Sequence, residues 1–308
     1  MDKVDYTPEN FRVENIPPKE QLKSKIRSII YPLLTNFRNK KLKQEFDFSN
    51  RYDKLYLGQR GNDYLAHRKR IDELSNIKNK TVLIIGCGKG NDLESWMKYN
   101  PKKIIAVDLF NYEKAWRVQK EYLINKYNTE VDFIQADVSD LSFLSDESID
   151  IIGSDAVFEH LNDFKSCLSE MKRVLAVDGI LYSTFGPLWY TWGGDHISGS
   201  DDFSNGYNHI LLEENDYNKY LDSFGEYTHD SNDGRTWVYN KLFSYYKPTD
   251  YINTLEELDF EFIWKSVILE PRAIKFLNMF KDKESKLLSK NVTYEDLIIT
   301  GMTVIIKK

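Results

Sequence analysis

A glycine-rich segment after a short apolar run is the first part of the chain whose residue types suggest chemistry. Residues 82–85 are all apolar, and Gly86-Cys87-Gly88-Lys89-Gly90 follows them, just before a segment of helical periodicity. Glycines in such a turn allow positive φ angles, and the free N–H groups of the next helix can face a ligand. A dinucleotide-binding loop is spaced G-x-G-x-x-G, whereas the third glycine here comes one residue early. The loop alone fits a nucleoside-bearing ligand and also an ordinary glycine turn in another α/β protein.

A carboxylate at the end of the next predicted strand favours the nucleoside interpretation. Asp108 stands about 20 residues after the glycines, where an acidic side chain can accept hydrogen bonds from both hydroxyls of a ribose. The sequence therefore predicts that a glycine turn and one carboxylate meet around the same ligand.

The elements that would position these residues alternate regularly from residue 81 onwards. Short β-branched runs predict strands at residues 81–85, 103–107, 131–135, 149–153 and 180–185. Amphipathic segments predict helices between them, near residues 91–99, 112–127 and 162–175. Such alternation is typical of βαβ units and of a parallel sheet that is covered on both faces. Two later β-rich segments, residues 260–269 and 296–306, are expected to pair antiparallel at one sheet edge.

Five motifs in this region carry a resemblance to a known family. They are VLIIGCGKG at 82–90, IIAVDLF at 104–110, FIQADVSDL at 133–141, SIDIIGSDAVFEHLND at 148–163 and RVLAVDGILYSTF at 173–185. In their order and spacing they resemble the class I S-adenosylmethionine-dependent methyltransferases. The resemblance implies a Rossmann-like three-layer α/β sandwich with a mostly parallel seven-stranded sheet and an antiparallel C-terminal edge.

The resemblance also implies which residues hold the cofactor, S-adenosylmethionine. They are Gly86, Cys87, Gly88, Gly90, Asp108, Leu109, Asp137, Val138 and Ser154. The glycine loop would line the methionine part, Asp108 would bind the ribose, and Asp137 would meet the adenine amino group. One departure concerns Ile84, where the family usually has an acidic residue that anchors the amino acid end of the cofactor.

Candidates for proton transfer and for acceptor binding lie after the fourth and fifth predicted strands of this region. The chain has only five histidines, and we take three as catalytic candidates, namely His160, His196 and His209. The Glu159-His160 pair is also a common structural cap in the family. Three aromatic residues beside Gly193-Gly194 suit a wall against the acceptor, or else an ordinary hydrophobic flap: Trp189, Tyr190 and Trp192.

Acidic residues in the same insertion raise the question of a divalent cation. Asp195, Asp201 and Asp202 stand near His196 and His209, and such groups can hold a metal ion against a deprotonated oxygen. Their spacing matches no tight ligand pattern. We therefore assign no metal site, and a divalent metal remains the less favoured possibility.

The domain prediction divides the chain at residue 80. Residues 1–80 form an N-terminal helical extension, in which apolar residues between 22 and 37 recur at helical spacing on a strongly basic segment. That helix is expected to pack on the body of the protein, with contact to an anionic membrane surface as the alternative. Residues 81–308 form the methyltransferase-like domain, and residues 186–248 are its substrate-binding insertion or lid.

Composition limits the class of function further. The 308-residue chain has 42 Lys and Arg against 48 Asp and Glu, a net charge of −6, which disfavours nucleic acid as a partner. Two cysteines exclude a disulfide framework, and no apolar run is long enough for a signal core or a membrane span, so we expect a cytoplasmic protein. The sequence does not predict the oligomeric state.

We therefore predict an enzyme that moves a methyl group from S-adenosylmethionine to a small molecule. The expected acceptor is a hydroxyl of a sugar, or of a glycan or natural-product precursor. Three alternatives stay open: a tRNA or protein methyltransferase, a nicotinamide-dependent oxidoreductase, and a catalytically silent interaction module. The basic extension favours the first, and Ile84 gives slight support to the last.

Overall fold

A computed structural model describes residues 51–58, 64–229 and 233–308 of the chain. Within these residues, eight strands form one sheet in the order β1-β7-β8-β6-β5-β2-β3-β4. The strands are β1 (Lys54–Leu57), β2 (Thr81–Ile85), β3 (Lys103–Asp108), β4 (Glu130–Gln135), β5 (Ile149–Asp155), β6 (Leu175–Phe185), β7 (Glu261–Leu269) and β8 (Ile299–Lys307). The amphipathic helix expected between residues 22 and 37 lies outside the described residues.

The pairing of the strands confirms the mostly parallel sheet with antiparallel C-terminal strands. Strands β2 to β6 pair in parallel, while β8 runs antiparallel to both β6 and β7. The predicted count of seven strands is corrected to eight, because β1 pairs in parallel with β7 at the outer edge. The tetrapeptide Lys54–Leu57 is too short to show a strand period by itself. It becomes a strand only because the β7 edge, more than 200 residues later, offers unpaired backbone groups.

Helices cover both faces of the sheet. They are α1 (Tyr64–Ser75), α2 (Leu93–Met97), α3 (Glu113–Tyr127), α4 (Phe164–Val174), α5 (Asn208–Leu211), α6 (Glu214–Asp222), α7 (Arg235–Tyr239), α8 (Pro248–Glu257), α9 (Pro271–Met279), α10 (Lys281–Leu288) and α11 (Tyr294–Ile298). Leu83 and Ile85 of β2 pack into one buried cluster, whereas Val82 and Ile84 pack into the cluster on the opposite face. Burial on both faces explains why β2 is a continuous apolar run rather than an alternating one.

The insertion at residues 186–248 is anchored to the segment that precedes β8. The Tyr207 hydroxyl donates to the carbonyl oxygen of Leu297 at 2.8 Å, and the Thr191 hydroxyl donates to the same oxygen at 3.0 Å. Both donors are buried. These bonds hold the insertion against the carboxyl ends of the parallel strands.

The strand order reverses between β2 and β5. The chain passes from β2 outward to β3 and β4, and then returns to β5 on the other side of β2. Open α/β sheets bind ligands in the crevice at such a reversal, outside the carboxyl ends of the strands. The ends of β2, β3 and β5 therefore mark where a site is expected.

Within the described residues, no helix is long and apolar enough to cross a lipid bilayer.

Candidate functional site

A cavity of about 380 Å³ lies at the reversal of strand order. Six of the nine residues predicted to bind the cofactor line it, namely Gly86, Gly88, Asp108, Leu109, Asp137 and Val138. They come from the loops that follow β2, β3 and β4, and Ala156 and His160 close the cavity from the loop after β5. The topology thus brings together residues that are far apart in the sequence.

The glycine loop takes a backbone conformation that side chains oppose. Gly86 has φ +69°, and a Cβ at this position would lie 2.1 Å from Val157 Cγ2. Gly88 has φ +51°, but a Cβ there would meet no protein atom within 4 Å. Gly86 is therefore required by packing, whereas Gly88 leaves open space beside the backbone for a ligand.

The loop is fixed from outside by two aromatic residues. The indole Nε1 of Trp116 in α3 donates to the Gly88 carbonyl oxygen at 2.7 Å, and its ring stacks on Phe133 with centroids 5.6 Å apart. A Cβ at Gly90 would lie 2.7 Å from the Phe133 ring. Gly90 thus lets the loop pack on Phe133 and does not line the cavity.

Asp108 holds the turn after β3 as well as facing the cavity. Its Oδ2 accepts from the Gly88 N–H at 2.7 Å, and its Oδ1 accepts from the Phe110 N–H at 2.9 Å. Burial raises the pKa of this carboxyl, and the two backbone hydrogen bonds oppose the rise. A carboxylate has about four lone-pair sites, so both oxygens can still accept from ribose hydroxyls.

Two further predicted cofactor residues lie beside the cavity rather than in its wall. Cys87 packs partly buried against the cluster behind the sheet, and burial raises the pKa of its thiol. Ser154 is fully buried in β5, and its Oγ has no hydrogen-bond partner among the described residues. Neither side chain reaches the space that the glycines and Asp108 enclose.

His160 presents one ring nitrogen for chemistry. Its Nδ1 lies 2.8 Å from the Leu242 carbonyl oxygen. Because a carbonyl oxygen can only accept, Nδ1 carries the proton, and Nε2 is left with the basic lone pair. Burial, and secondly the neighbouring His196, lower the pKa of His160 to about 3. The ring is therefore neutral at physiological pH and can accept a hydrogen bond.

His196 connects this cavity with two others. Its ring centroid is 5.0 Å from that of His160. The exposed His196 also lines one cavity of about 260 Å³ at the ends of β6 and β7 and another of about 480 Å³ beside α7. Although the ring faces these cavities, the surrounding protein desolvates the imidazolium and lowers the pKa of His196 to about 4.

The expectation that His209 handles a proton of the acceptor is corrected. Its side chain is completely buried, its Nε2 contacts the Trp189 carbonyl oxygen at 2.8 Å, and its Nδ1 lies 3.7 Å from Asp195 Oδ1. It lines none of the three cavities. His209 therefore fixes the insertion internally, and no acceptor can reach its ring.

The three predicted aromatic residues also differ in their placement. Trp192 is buried, packs against Gly199 and Gly206, and lines the cavity of about 260 Å³. Trp189 packs against Phe243 and Tyr245, and the half-buried Tyr190 packs on the core. Neither Trp189 nor Tyr190 lines any of the three cavities, so Trp192 is the one of these three aromatic residues that lines a cavity.

The acidic residues of the insertion serve local hydrogen bonds. Asp195 accepts from the Ser198 and Tyr217 hydroxyls at 2.7 and 2.6 Å, and Asp201 accepts from the Tyr220 hydroxyl at 2.6 Å. Asp202 accepts from the backbone N–H and the hydroxyl of Ser204. Among the described residues, no group of three or more His, Cys, Asp or Glu is placed to hold a metal ion.

One residue of the site escaped the sequence analysis. Trp237, from α7 in the insertion, lines the main cavity and stacks on His160 at 4.2 Å between centroids. It lies in none of the motifs, and only the fold brings it to the cavity.

The comparisons with known proteins agree with this geometry. Residues 83–183 match a family described as a methyltransferase domain. A malonyl-[acyl-carrier protein] O-methyltransferase from Bacillus cereus is 34% identical over 121 residues, which are 39% of this chain and 41% of that protein. One from Bacillus anthracis is 34% identical over 107 residues, 34% of this chain and 37% of that protein. The match thus spans about two fifths of the length of these curated relatives.

A solved structure shows the same fold over a larger part of the chain. It comes from Listeria monocytogenes and is provisionally assigned as an S-adenosylmethionine-dependent methyltransferase. It superposes with a TM-score of 0.50 at 14% identity and covers 81% of this chain and 99% of that one. Residues 83–183 therefore match the methyltransferase-domain family, and the sheet built on them has the same fold as this solved structure.

Proposed function

We propose that this protein transfers a methyl group from S-adenosylmethionine to an oxygen atom of a small molecule. The observation that carries the proposal is a single cavity where an open glycine loop, a buried carboxylate and a neutral histidine meet. Gly88 and Asp108 line one side of this cavity, and His160 lines another. The family match over residues 83–183 and the methyltransferase names of the matched relatives support the same activity.

The residues present fit this cofactor. The open space beside Gly88 suits its amino acid portion, and Asp108 retains lone pairs for the ribose hydroxyls. Asp137 and Val138, after β4, suit the adenine, and Leu109 borders the same region. When bound, S-adenosylmethionine supplies an electrophilic methyl group, so the protein must mainly orient the acceptor and exclude water.

His160 is the residue proposed to handle the acceptor proton. Its Nδ1 is committed to Leu242, so its Nε2 can accept a hydrogen bond from an acceptor hydroxyl and take the proton as the oxygen is methylated. Orientation of two reactants can lower a barrier by roughly 7–11 kcal/mol, and a general base adds roughly 3–5 kcal/mol. The base is thus the smaller contribution, and His196 is placed to hold the acceptor from the adjoining cavities.

The proposed acceptor is a hydroxyl of a sugar, or of a glycan or natural-product precursor. In support, the cavity of about 260 Å³ beside His196 is lined by Trp192, Ser200, Glu270 and Arg272. The Arg272 guanidinium lies over the Trp192 ring at 4.1 Å and pairs with Glu270, so this wall offers a polyhydroxylated acceptor charged and hydroxyl groups rather than a free aromatic face.

A carboxylate acceptor is the second candidate. It is favoured by the matched relatives, whose names describe O-methylation of a malonyl group on acyl carrier protein. The two acceptors differ in their need for a base, because a carboxylate with an ordinary pKa near 4 is already ionised at neutral pH. The change His160→Gln should lower turnover for a hydroxyl acceptor by about 10²-fold, the lower end for a general base because the pKa of His160 lies far below neutral, and leave a carboxylate acceptor nearly unaffected.

Thermal unfolding with added ligands tests the cofactor assignment. A ligand at 100 times its dissociation constant stabilises the folded state by about 2.7 kcal/mol, which raises the melting temperature by a few degrees. We expect this rise with S-adenosylmethionine and with S-adenosylhomocysteine, and none with NAD. A rise with NAD alone would replace the proposal by a nicotinamide-dependent activity.

A further inference from the structure

The part of the insertion that covers the main cavity is the short helix α7. Its residue Trp237 lines the cavity, although it lies about 75 residues beyond the matched methyltransferase motifs in that wall. The indole ring stacks on His160, with centroids 4.2 Å apart and planes inclined by 24°. The ring of Phe110 also contacts it, edge-on, with centroids 5.7 Å apart.

These two contacts show where Trp237 lies relative to the glycine loop. Phe110 follows β3 and His160 follows β5, and β2 runs between these two strands. Neighbouring strands are about 4.8 Å apart, so residues after β3 and β5 are separated by roughly 10 Å. An indole that touches both must lie across the end of β2, and Gly86 and Gly88, which follow β2, line the same cavity.

Trp237 is also joined to His160 through the backbone of one residue, Leu242. The Leu242 N–H donates to the Trp237 carbonyl oxygen at 2.8 Å. The Leu242 carbonyl oxygen in turn accepts from His160 Nδ1 at 2.8 Å. The turn that ends α7 therefore positions the Leu242 carbonyl oxygen. That oxygen in turn selects the His160 tautomer that carries its proton on Nδ1.

The helix that carries Trp237 is held rigidly at its start. Arg235 is buried, its guanidinium pairs with Asp233 at 2.7 Å, and it donates to the carbonyl oxygens of Gly225 and Glu226 at 2.7 and 2.8 Å. The Tyr227 hydroxyl donates to Thr236 Oγ1 at 3.1 Å. A fixed α7 can hold its indole in one orientation, as a positioning role requires.

We propose that Trp237 is a positioning residue, which closes the cavity opposite the glycine loop and holds the His160 ring with Nε2 available to the acceptor. The inference rests on the proposed function for the identity of the ligand. It adds a residue from the insertion to a cavity whose other lining residues, apart from Leu242, lie between positions 86 and 167.

Binding and fluorescence of three variants test the closure. They are Trp237→Ala, Trp237→Phe and the control Trp264→Phe, which replaces an indole of β7 that contacts Ser266 and Arg70 away from the cavity. We expect S-adenosylhomocysteine to bind Trp237→Ala roughly tenfold more weakly than the wild type, since one aromatic contact is lost. Trp237→Phe should bind within about threefold of the wild type, because a ring is kept.

The phenylalanine variant keeps the test decisive if the alanine variant does not fold. S-adenosylhomocysteine should change the tryptophan emission of the wild type and of Trp264→Phe, and this change should be largely absent in Trp237→Phe. An undiminished change in Trp237→Phe would overturn the proposal. If the wild type itself fails to bind S-adenosylhomocysteine, the proposed function fails instead. Nitrogen-15 NMR of histidine then still tests whether Trp237 positions His160.

Nitrogen-15 NMR of histidine at pH 7 tests the positioning. The wild type and Trp264→Phe should show His160 as a single neutral tautomer with the proton on Nδ1. In Trp237→Ala we expect a mixture of tautomers, with recovery of the single form in Trp237→Phe. An unchanged tautomer in a folded Trp237→Ala would show that His160 is held without the indole.

Discussion

Asp108 and Asp195 are both buried aspartates that accept backbone N–H groups, yet their carboxylates have different surroundings in two regions of the molecule. Asp108 lies in the parallel half of the sheet and lines the main cavity. Asp195 lies in the insertion, where its carboxylate accepts from Ser198, Ile197 and Tyr217 and lines no cavity described above. The comparison teaches that a buried charge marks a binding site only where part of its hydrogen-bonding capacity faces open space.

Burial alone would favour the neutral form of Asp195. His209 and the hydrogen bonds from Tyr217 and Ser198 nevertheless hold the pKa of its carboxyl below the usual range. We therefore expect Asp195 to be an ionised structural centre of the insertion, whereas Asp108 is a centre of binding. Four predictions sharpen this contrast, from the largest expected effect to the smallest.

The change Asp195→Ala should lower the free energy of unfolding by about 4 kcal/mol, because it leaves several buried donors without an acceptor. The fraction that stays folded should bind S-adenosylhomocysteine within about twofold of the wild type. Chemical denaturation and calorimetry measure the two quantities. A variant that is stable but no longer binds would remove the distinction between the two aspartates.

Glu159 should make stability depend on pH. Burial raises the pKa of its carboxyl from 4.5 to about 7, so the folded state keeps a proton that the unfolded chain releases above pH 4.5. Stability from this group is therefore present below pH 4.5 and is lost as the pH rises to 7, by about 3 kcal/mol in total.

The matched variant is Glu159→Gln, which keeps an oxygen to accept from the Gly186 N–H, bonded at 2.8 Å in the wild type. Because glutamine does not titrate, the variant should escape the loss of about 3 kcal/mol that the wild type shows between pH 4.5 and 7. Its stability relative to the wild type should therefore rise by that amount over this range. The half-buried His160, whose pKa is lowered, acts in the opposite direction, because its contribution to stability is lost as the pH falls from 6.5 toward 3. Only the difference between variant and wild type therefore isolates Glu159. A constant difference across this range would show that Glu159 is ionised when buried.

The change Asp108→Ala should abolish the stabilisation by S-adenosylhomocysteine, which is about 2.7 kcal/mol at 100 times the dissociation constant. Ribose hydroxyls would lose their acceptor, and the Gly88 and Phe110 N–H groups would lose theirs, so the melting temperature of the variant without ligand is measured as well. The exposed Asp146, which pairs with Arg173 at the surface, provides the control Asp146→Ala. An undiminished melting shift in Asp108→Ala would exclude the ribose assignment.

Replacement of Gly86 and of Gly88 by alanine should lower the free energy of unfolding by amounts that differ by about 2 kcal/mol. Gly86→Ala combines a positive φ with a clash against Val157 and should cost about 3 kcal/mol. Gly88→Ala has the positive φ alone and should cost about 1 kcal/mol. The methyl group at Gly88 should weaken S-adenosylhomocysteine binding, because it occupies the cavity. Equal costs would show that the loop relaxes around both.

The sequence predicted strands most accurately where a local apolar run corresponds to a strand that is buried on both faces of the sheet. The predicted strand at residues 81–85 matches β2, and the strand at 103–107 falls one residue short of Asp108, because full burial makes such strands continuous apolar runs. The predicted start of the last strand at residue 296 is too early. Thr293 and Asp296 form a capping box there, and residues 294–298 are the helix α11.

The insertion shows why the same reasoning reached less far. The sequence alone does not distinguish His160, His196 and His209. In the structure, His160 lines the main cavity, His196 borders two other cavities, and the side chain of His209 is completely buried. No periodicity distinguishes them, since their neighbours come from distant segments. Trp237 escaped notice for the same reason, because its partners His160 and Phe110 are 77 and 127 positions away.

Local backbone chemistry was thus determined by the sequence alone: glycines where φ must be positive, apolar runs where both faces are buried, and a carboxylate at a strand end. The tertiary structure alone decided which polar groups face a cavity and which form hydrogen bonds inside the protein. That division arises because the burial of a side chain depends on what the rest of the chain packs against it, and residue type does not encode those neighbours.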